Sequence, residues 1–109
     1  MTVVRAKEDE KMSAHLTARY FSVSDKTTGV KDQLVKQLHY TGWPDHGVPT
    51  GDSMASFQLM LEHFIRMLLT SKLEEKVVVH CSAGIGRTGT TICLAHNIIN
   101  LWAQRNAGV

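Results

Sequence analysis

Cys81 and Arg87 stand six positions apart in VVVHCSAGIGRTGTTICLA (77–95), separated by five residues of which two are glycine. That spacing can do chemistry on an oxyanion. Ser82, Ala83, Gly84, Ile85 and Gly86 can wrap so that successive backbone N–H groups point inward, forming a nest for negative charge. A helix starting near Arg87 adds its positive end. The guanidinium can take two phosphoryl oxygens in its planar fork. The same field favours a thiolate at Cys81. An ordinary thiol titrates near ~8.5 and is only a few per cent ionised at neutral pH. A helix terminus supplies roughly 0.3–2 kcal/mol, so the amides, Arg87 and the Thr88 hydroxyl have to supply the rest. One loop thus makes a nucleophile and a pocket for its target.

Two other phosphate motifs fit less well. Gly84-Ile85-Gly86-Arg87-Thr88-Gly89 matches G-x-G-x-x-G, but the acidic residue that a dinucleotide site needs about 20 positions on is absent, since no Asp or Glu follows Glu75. A Walker-type loop fails for want of Gly-Lys-Ser/Thr. No His/Cys/Asp cluster has convincing metal-ligand spacing. Cys81 and Cys93, twelve apart, make no disulfide framework and suit a reducing compartment.

The elements that would hold this loop can be read from the pattern around it. VVVHC (77–81) is a short continuous apolar run, as in a strand covered on both faces. Behind the loop, Ile92, Ala95, Ile99 and Trp102 mark one face of a helix ending near Gly108. Upstream, HLTARYFSV (15–23) and DQLVKQLHY (32–40) flank the turn cluster SDKTTG and predict an antiparallel hairpin. TGWPDHGVPTGD (41–52) holds three glycines and both prolines, the mark of a long functional loop. A helix should follow, capped by Thr50 or Asp52, with Phe57, Leu61, Phe64, Ile65 and Leu68 on its apolar face and LEEK at its end. Residues 1–14 carry mixed charge without a period and read as a solvated lead-in to a domain over 15–109. The expected fold class is α/β: a mixed β-sheet flanked by helices, around a strand–loop–helix core.

Composition narrows the partners. The 109 residues, 43% hydrophobic, suffice for at most one small domain with a modest core. A net charge of +2 is too mild for nucleic acid or an anionic membrane as the main partner. All ten acidic residues lie at or before Glu75, which leaves Lys76, Arg87 and Arg105 unopposed and favours an anionic ligand beyond it. No stretch is long and apolar enough for a membrane span, and no signal peptide is apparent. A cytoplasmic chain, or the cytosolic portion of a larger protein, is the reading that follows.

VHCSAGIGRTGT resembles the phosphate-binding loop of the protein tyrosine phosphatases, and HYTGWPDHGVP resembles their general-acid (WPD) loop. The broader pattern H-C-x5-R-[ST] also occurs in dual-specificity and lipid phosphatases; HCSAGIGRTG with WPDHGVP is similar to the tyrosine-specific class. The resemblance covers residues 15 to 105 and implies the central part of a much longer catalytic domain. It implies a cofactor-free hydrolase acting on phosphotyrosine-containing proteins through a phosphocysteine at Cys81. Arg87 and the amides of residues 82–87 would hold the phosphoryl oxygens. Asp45 would protonate the leaving phenolate and then activate water, Thr88 would assist release of the thiolate, and His80 would orient the loop and tune the cysteine. Trp43, Pro44, Gly47 and Pro49 would set the hinges of the Asp45 loop. The family's ring-clasping loop has no match in residues 1–14, and its water-positioning glutamine loop would lie beyond Val109.

Plainer roles compete with these. Cys81 could be a buried structural thiol, Arg87 a surface cation, and Asp45 a simple turn former. Cys93, Phe57 and Trp102 read as core, and His39, His46, His63 and His96 as ordinary residues without an evident partner. A chain that binds phosphotyrosine or phosphate without turnover is the alternative function. A sulfur-transfer or arsenate-reducing enzyme is a third, which the acid at Asp45 disfavours.

Overall fold

The computed structural model describes residues 1–44, 47–71, 76–81 and 86–106. Four strands come first: β1 (Thr2–Arg5), β2 (Glu10–Ser13), β3 (Leu16–Asp25) and β4 (Val30–Tyr40). Two helices of 20 residues follow, α1 (Gly51–Thr70) and α2 (Arg87–Asn106). The chain divides into two compact units, Met1–Met60 and Leu61–Val109, with the boundary inside α1.

The predicted hairpin is the spine of the first unit. β3 and β4 run antiparallel from the pair Leu16↔Tyr40 to Asp25↔Val30. Asp25 Oδ1 accepts from Thr27 N–H at 3.0 Å, and Gly29 takes φ +76°, the left-handed conformation that the turn requires. Near the turn, Lys31 and Asp32 lie opposite Ser24 alone, a β-bulge. Asp32 sits there at φ 52°, and its N–H donates to Ser24 Oγ at 3.0 Å. Aspartate tolerates this region better than most side chains.

Residues 1–14 are more than a lead-in. β1 pairs with the later half of β3 (Thr2↔Ser24 to Arg5↔Phe21) and β2 with its start (Glu10↔Ala18 to Ser13↔Leu16), both antiparallel. They share the edge of β3 that β4 leaves open, so its N–H and C=O groups are satisfied along most of its length. β1 is exposed throughout and β2 over its first half, so this pairing demands no apolar alternation and leaves no periodic signal. The histidine at position 39 also has a partner: Arg19 Nη1 lies 2.7 Å from its Nδ1. A guanidinium only donates, so that nitrogen accepts.

The core of this unit forms where the hairpin ends and α1 begins. Leu16 and Ala18, two apart on one face of β3, are fully buried, as is Ser56, and Phe57 is nearly so. The buried Ser56 hydroxyl joins the helix to the strands. It lies 2.7 Å from Ser13 Oγ and accepts from His15 N–H at 3.0 Å. Ser56→Ala would leave that amide without its acceptor, so it should lower the unfolding free energy by roughly 1–3 kcal/mol, read from urea denaturation. A change within a few tenths of that scale's error would mean that water replaces the hydroxyl.

α1 starts where expected, by a different device. Ser53 Oγ accepts from Thr50 N–H at 3.0 Å and donates to Thr50 C=O at 2.7 Å, so the third residue of the helix reaches back to the cap position. In the second unit Leu61, Phe64 and Ile65 of α1 are buried, but Leu68 is 39% exposed. The helix closes at Thr70, whose hydroxyl donates to Arg66 C=O at 2.7 Å. The expected terminator LEEK begins past it, and its residues 73–75 lie outside the described residues.

The α/β class holds, and every ladder among the described residues is antiparallel. The strand expected at 77–81 is absent from it. The four strands among the described residues lie within residues 2–40, and no described segment forms a ladder with the run. An apolar run becomes a strand only when a neighbour takes its N–H and C=O groups. Val78 is instead 82% exposed. The face of α2 is also rotated from the expected one. Thr91 and Ala95 are buried, with Ile98 and Ile99 half-buried, while Ile92 and Trp102 are about half exposed. Thr91 can be buried because its hydroxyl donates to Arg87 C=O at 2.8 Å. Cys93, expected in the core, is exposed and accepts from Asn97 Nδ2 at 3.6 Å.

Candidate active site

The site is built from the start of α2 and the residue at which the preceding run ends. Gly86 occupies the cap position, its carbonyl accepting from both the N–H and the hydroxyl of Thr90 at 3.0 Å. Arg87 is the first helical residue. The amides of a first helical turn have no carbonyl partner inside the helix and carry the positive end of its dipole. No acidic side chain occupies the first turn of α2 to neutralise that end. Cys81, Arg87 and Thr88 are each half-buried, and His80 beside them is exposed.

Thr88 carries the most telling detail. Its Oγ1 is shielded from solvent and has no hydrogen-bond partner among the described residues. A buried hydroxyl left unsatisfied costs on the order of 1–3 kcal/mol. Such a group on the first turn of a helix is available to an acceptor placed over that turn.

A Cβ built on Gly86 or Gly89 would meet nothing within 4 Å. Both glycines line a shallow hollow of about 490 Å³ with Thr90, Cys93 and Leu94, on a side of α2 that includes none of Cys81, Arg87 and Thr88. Ser82, Ala83, Gly84 and Ile85 lie outside the described residues, as do Asp45 and His46. Among the described residues no group of three His, Cys, Asp or Glu side chains could hold a metal ion, and no helix is long and apolar enough to cross a membrane.

The flanks of Asp45 are described. Trp43 is half-buried, and its Nε1–H donates to Gly47 C=O at 3.2 Å. That bond joins the two sides of the Pro-Asp-His segment. Gly47 takes φ +92°, a conformation open to glycine and strained for other residues. Pro49 is buried.

A family model described as protein-tyrosine phosphatase matches residues 1–108. This chain belongs to the protein-tyrosine phosphatase family. It is 41% identical over 83 residues to mouse tyrosine-protein phosphatase non-receptor type 20, a match covering 76% of this chain and 18% of that protein. It is 42% identical over 94 residues to human receptor-type tyrosine-protein phosphatase eta, covering 85% of this chain and 7% of the relative. The fold is similar to the crystal structure of the catalytic domain of human protein tyrosine phosphatase non-receptor type 18, with a TM-score of 0.74 and 29% identity over 94% of this chain and 34% of that one. The chain thus spans under a fifth of the length of the curated relatives it matches and about a third of the solved domain. The family match begins at residue 1 and so takes in β1 and β2, ahead of the start expected at residue 15.

Proposed function

We propose that this phosphatase chain hydrolyses phosphotyrosine in proteins through a phosphocysteine intermediate, as the central part of a catalytic domain. The observation that supports it most is the pairing of Arg87 with the unsatisfied, buried Thr88 hydroxyl on the opening turn of α2. In the first step the Cys81 thiolate attacks phosphorus, forming the S–P bond as the bond from phosphorus to the tyrosine oxygen breaks. Asp45 delivers its proton to that oxygen, because a phenolate with conjugate pKa near ~10 leaves poorly at neutral pH.

In the second step Asp45, now a carboxylate, takes a proton from water as the water attacks phosphorus. The S–P bond breaks, and the Thr88 hydroxyl donates to the departing thiolate. Arg87 and the amides of residues 82–87 hold the equatorial oxygens in both steps. His80 orients the loop from its exposed position beside the nucleophile. The scheme uses no metal or cofactor. Its setting is the cytosol, or the cytosolic part of a larger protein.

The test mixes the chain with a phosphotyrosine peptide and follows inorganic phosphate, with acid quenching to trap the intermediate. The proposal expects phosphate release and a phosphoryl group on the Cys81 peptide. Peptide retained with no phosphate released would contradict it. Arg87→Lys keeps the charge and removes the planar fork, so turnover should fall by about 10²-fold. Activity equal to the parent's would discard the bidentate role.

A further inference from the structure

The indole of Trp43 sits in a socket whose parts all lie within the first unit. Phe57, buried on α1, meets Trp43 edge-on with ring centroids 5.5 Å apart and planes at 85°. Tyr40, at the end of β4, packs on the same Phe57 at 5.6 Å and 55°. The Tyr40 hydroxyl donates to Ser53 C=O at 2.7 Å, and burial pushes its pKa above the ordinary tyrosine value, which keeps the donor proton in place. The backbone at Gly42 passes close over this contact. A Cβ there would lie 2.8 Å from the Tyr40 hydroxyl oxygen and 2.9 Å from Ser53 Cβ.

Both ends of the segment Trp43–Gly47 are therefore tied to one place. Trp43 is held by Phe57 and bonds the Gly47 carbonyl. Three residues beyond Gly47, Thr50 is bonded twice to the Ser53 side chain. Ser53 in turn takes the Tyr40 hydroxyl. A displacement of Phe57 or Tyr40 would be passed on through the rigid indole, because edge-to-face aromatic contacts are geometrically selective.

We infer that Phe57 and Tyr40 are positioning residues for the acid step, setting through Trp43 the frame of the segment that carries Asp45. The inference rests on the reading of Asp45 as the general acid. The acid acts in the step that expels the tyrosine, and kcat/KM reports the steps up to that departure, so misplacing the acid lowers kcat/KM.

Phe57→Leu keeps apolar bulk and removes the ring that the indole touches, and Tyr40→Phe removes the hydroxyl alone. On a phosphotyrosine peptide, kcat/KM should fall roughly tenfold for Phe57→Leu and about threefold for Tyr40→Phe. On an aryl phosphate with an easily expelled leaving group, kcat/KM of both variants should stay within about twofold of the parent, since that parameter excludes the hydrolytic step shared by all esters. Adding Phe57→Leu to Asp45→Asn should cost nothing further, since the acid it positions is gone. In a Trp102→Phe background, Phe57→Leu should shift Trp43 emission to the red and lower its anisotropy.

Equal losses on both substrates for Asp45→Asn would defeat the acid reading itself. A leaving-group-dependent loss for Asp45→Asn, with equal or no losses for Phe57→Leu and Tyr40→Phe, would overturn the positioning role alone. Unchanged Trp43 emission in Phe57→Leu would overturn it independently of turnover.

Discussion

Cys81→Ser should leave a chain that still binds inorganic phosphate while its turnover of a phosphotyrosine peptide falls by at least about 10⁴-fold. The asymmetry comes from the division of labour in the loop. In the proposed scheme, binding of the dianion draws on Arg87, the amides of residues 82–87 and the end of α2, none of which serine would disturb. Bond formation to phosphorus needs an ionised nucleophile, and a hydroxyl is far harder to ionise than a thiol. Phosphate affinity by calorimetry and phosphate release by a coupled assay separate the two. Turnover near the parent rate would remove Cys81 from the nucleophile's place. Loss of both properties together would point to a structural thiol.

Asp45→Asn should cost roughly 10²–10⁴-fold in kcat/KM on phosphotyrosine, the parameter that reports leaving-group departure and excludes the later hydrolysis. Its cost on an ester with a good leaving group should be much smaller, because such a group departs without a proton. The sign of the pH dependence follows from the same role. A general acid has to be protonated, so the parent's kcat/KM should decline as pH rises past the point where the aspartic acid ionises. That basic limb should disappear in the asparagine chain. A basic limb unchanged in Asp45→Asn would assign it to another group, and an equal loss on both esters would contradict the acid role.

Burial that alternates made parts of the fold readable in the residues. In β3 the buried Leu16 and Ala18 stand two apart, and the period of two shows there, whereas the mostly exposed β4 was legible from its β-forming residues and the turn cluster before it. The first turns of α1 likewise bury Phe57, which the period of 3.6 marks. β1 and β2 escaped because they are edge partners with largely exposed side chains, held by backbone bonds that any side chain permits. The run at 77–81 misled for the opposite reason, since apolar content signals a strand only where a neighbour supplies the ladder. On α2 the buried stripe includes Thr91, a polar residue made buriable by its bond to Arg87 C=O, so a count of apolar positions turned the face toward Ile92 and Trp102.

The chemistry was easier to read than the packing. Cys81, Arg87 and Thr88 stood out as candidates because a thiol, a guanidinium and a hydroxyl at these spacings around glycines have few structural uses. The socket of Tyr40, Gly42 and Phe57 left only one clue, a glycine just before Trp43. Its reason, a 2.8 Å approach to the Tyr40 hydroxyl, becomes visible only in three dimensions.

The central claim is that the loop from Cys81 to Arg87 both ionises the sulfur and traps a dianion over it. Alkylation by iodoacetate tests it most directly in a Cys93→Ser chain, where Cys81 is the remaining thiol. Rapid modification at neutral pH is predicted, with its pH dependence inflecting well below the ordinary thiol range and with competitive protection by inorganic phosphate. Modification that rises only near ~8.5, like that of a simple thiol, and that ignores phosphate would contradict the account.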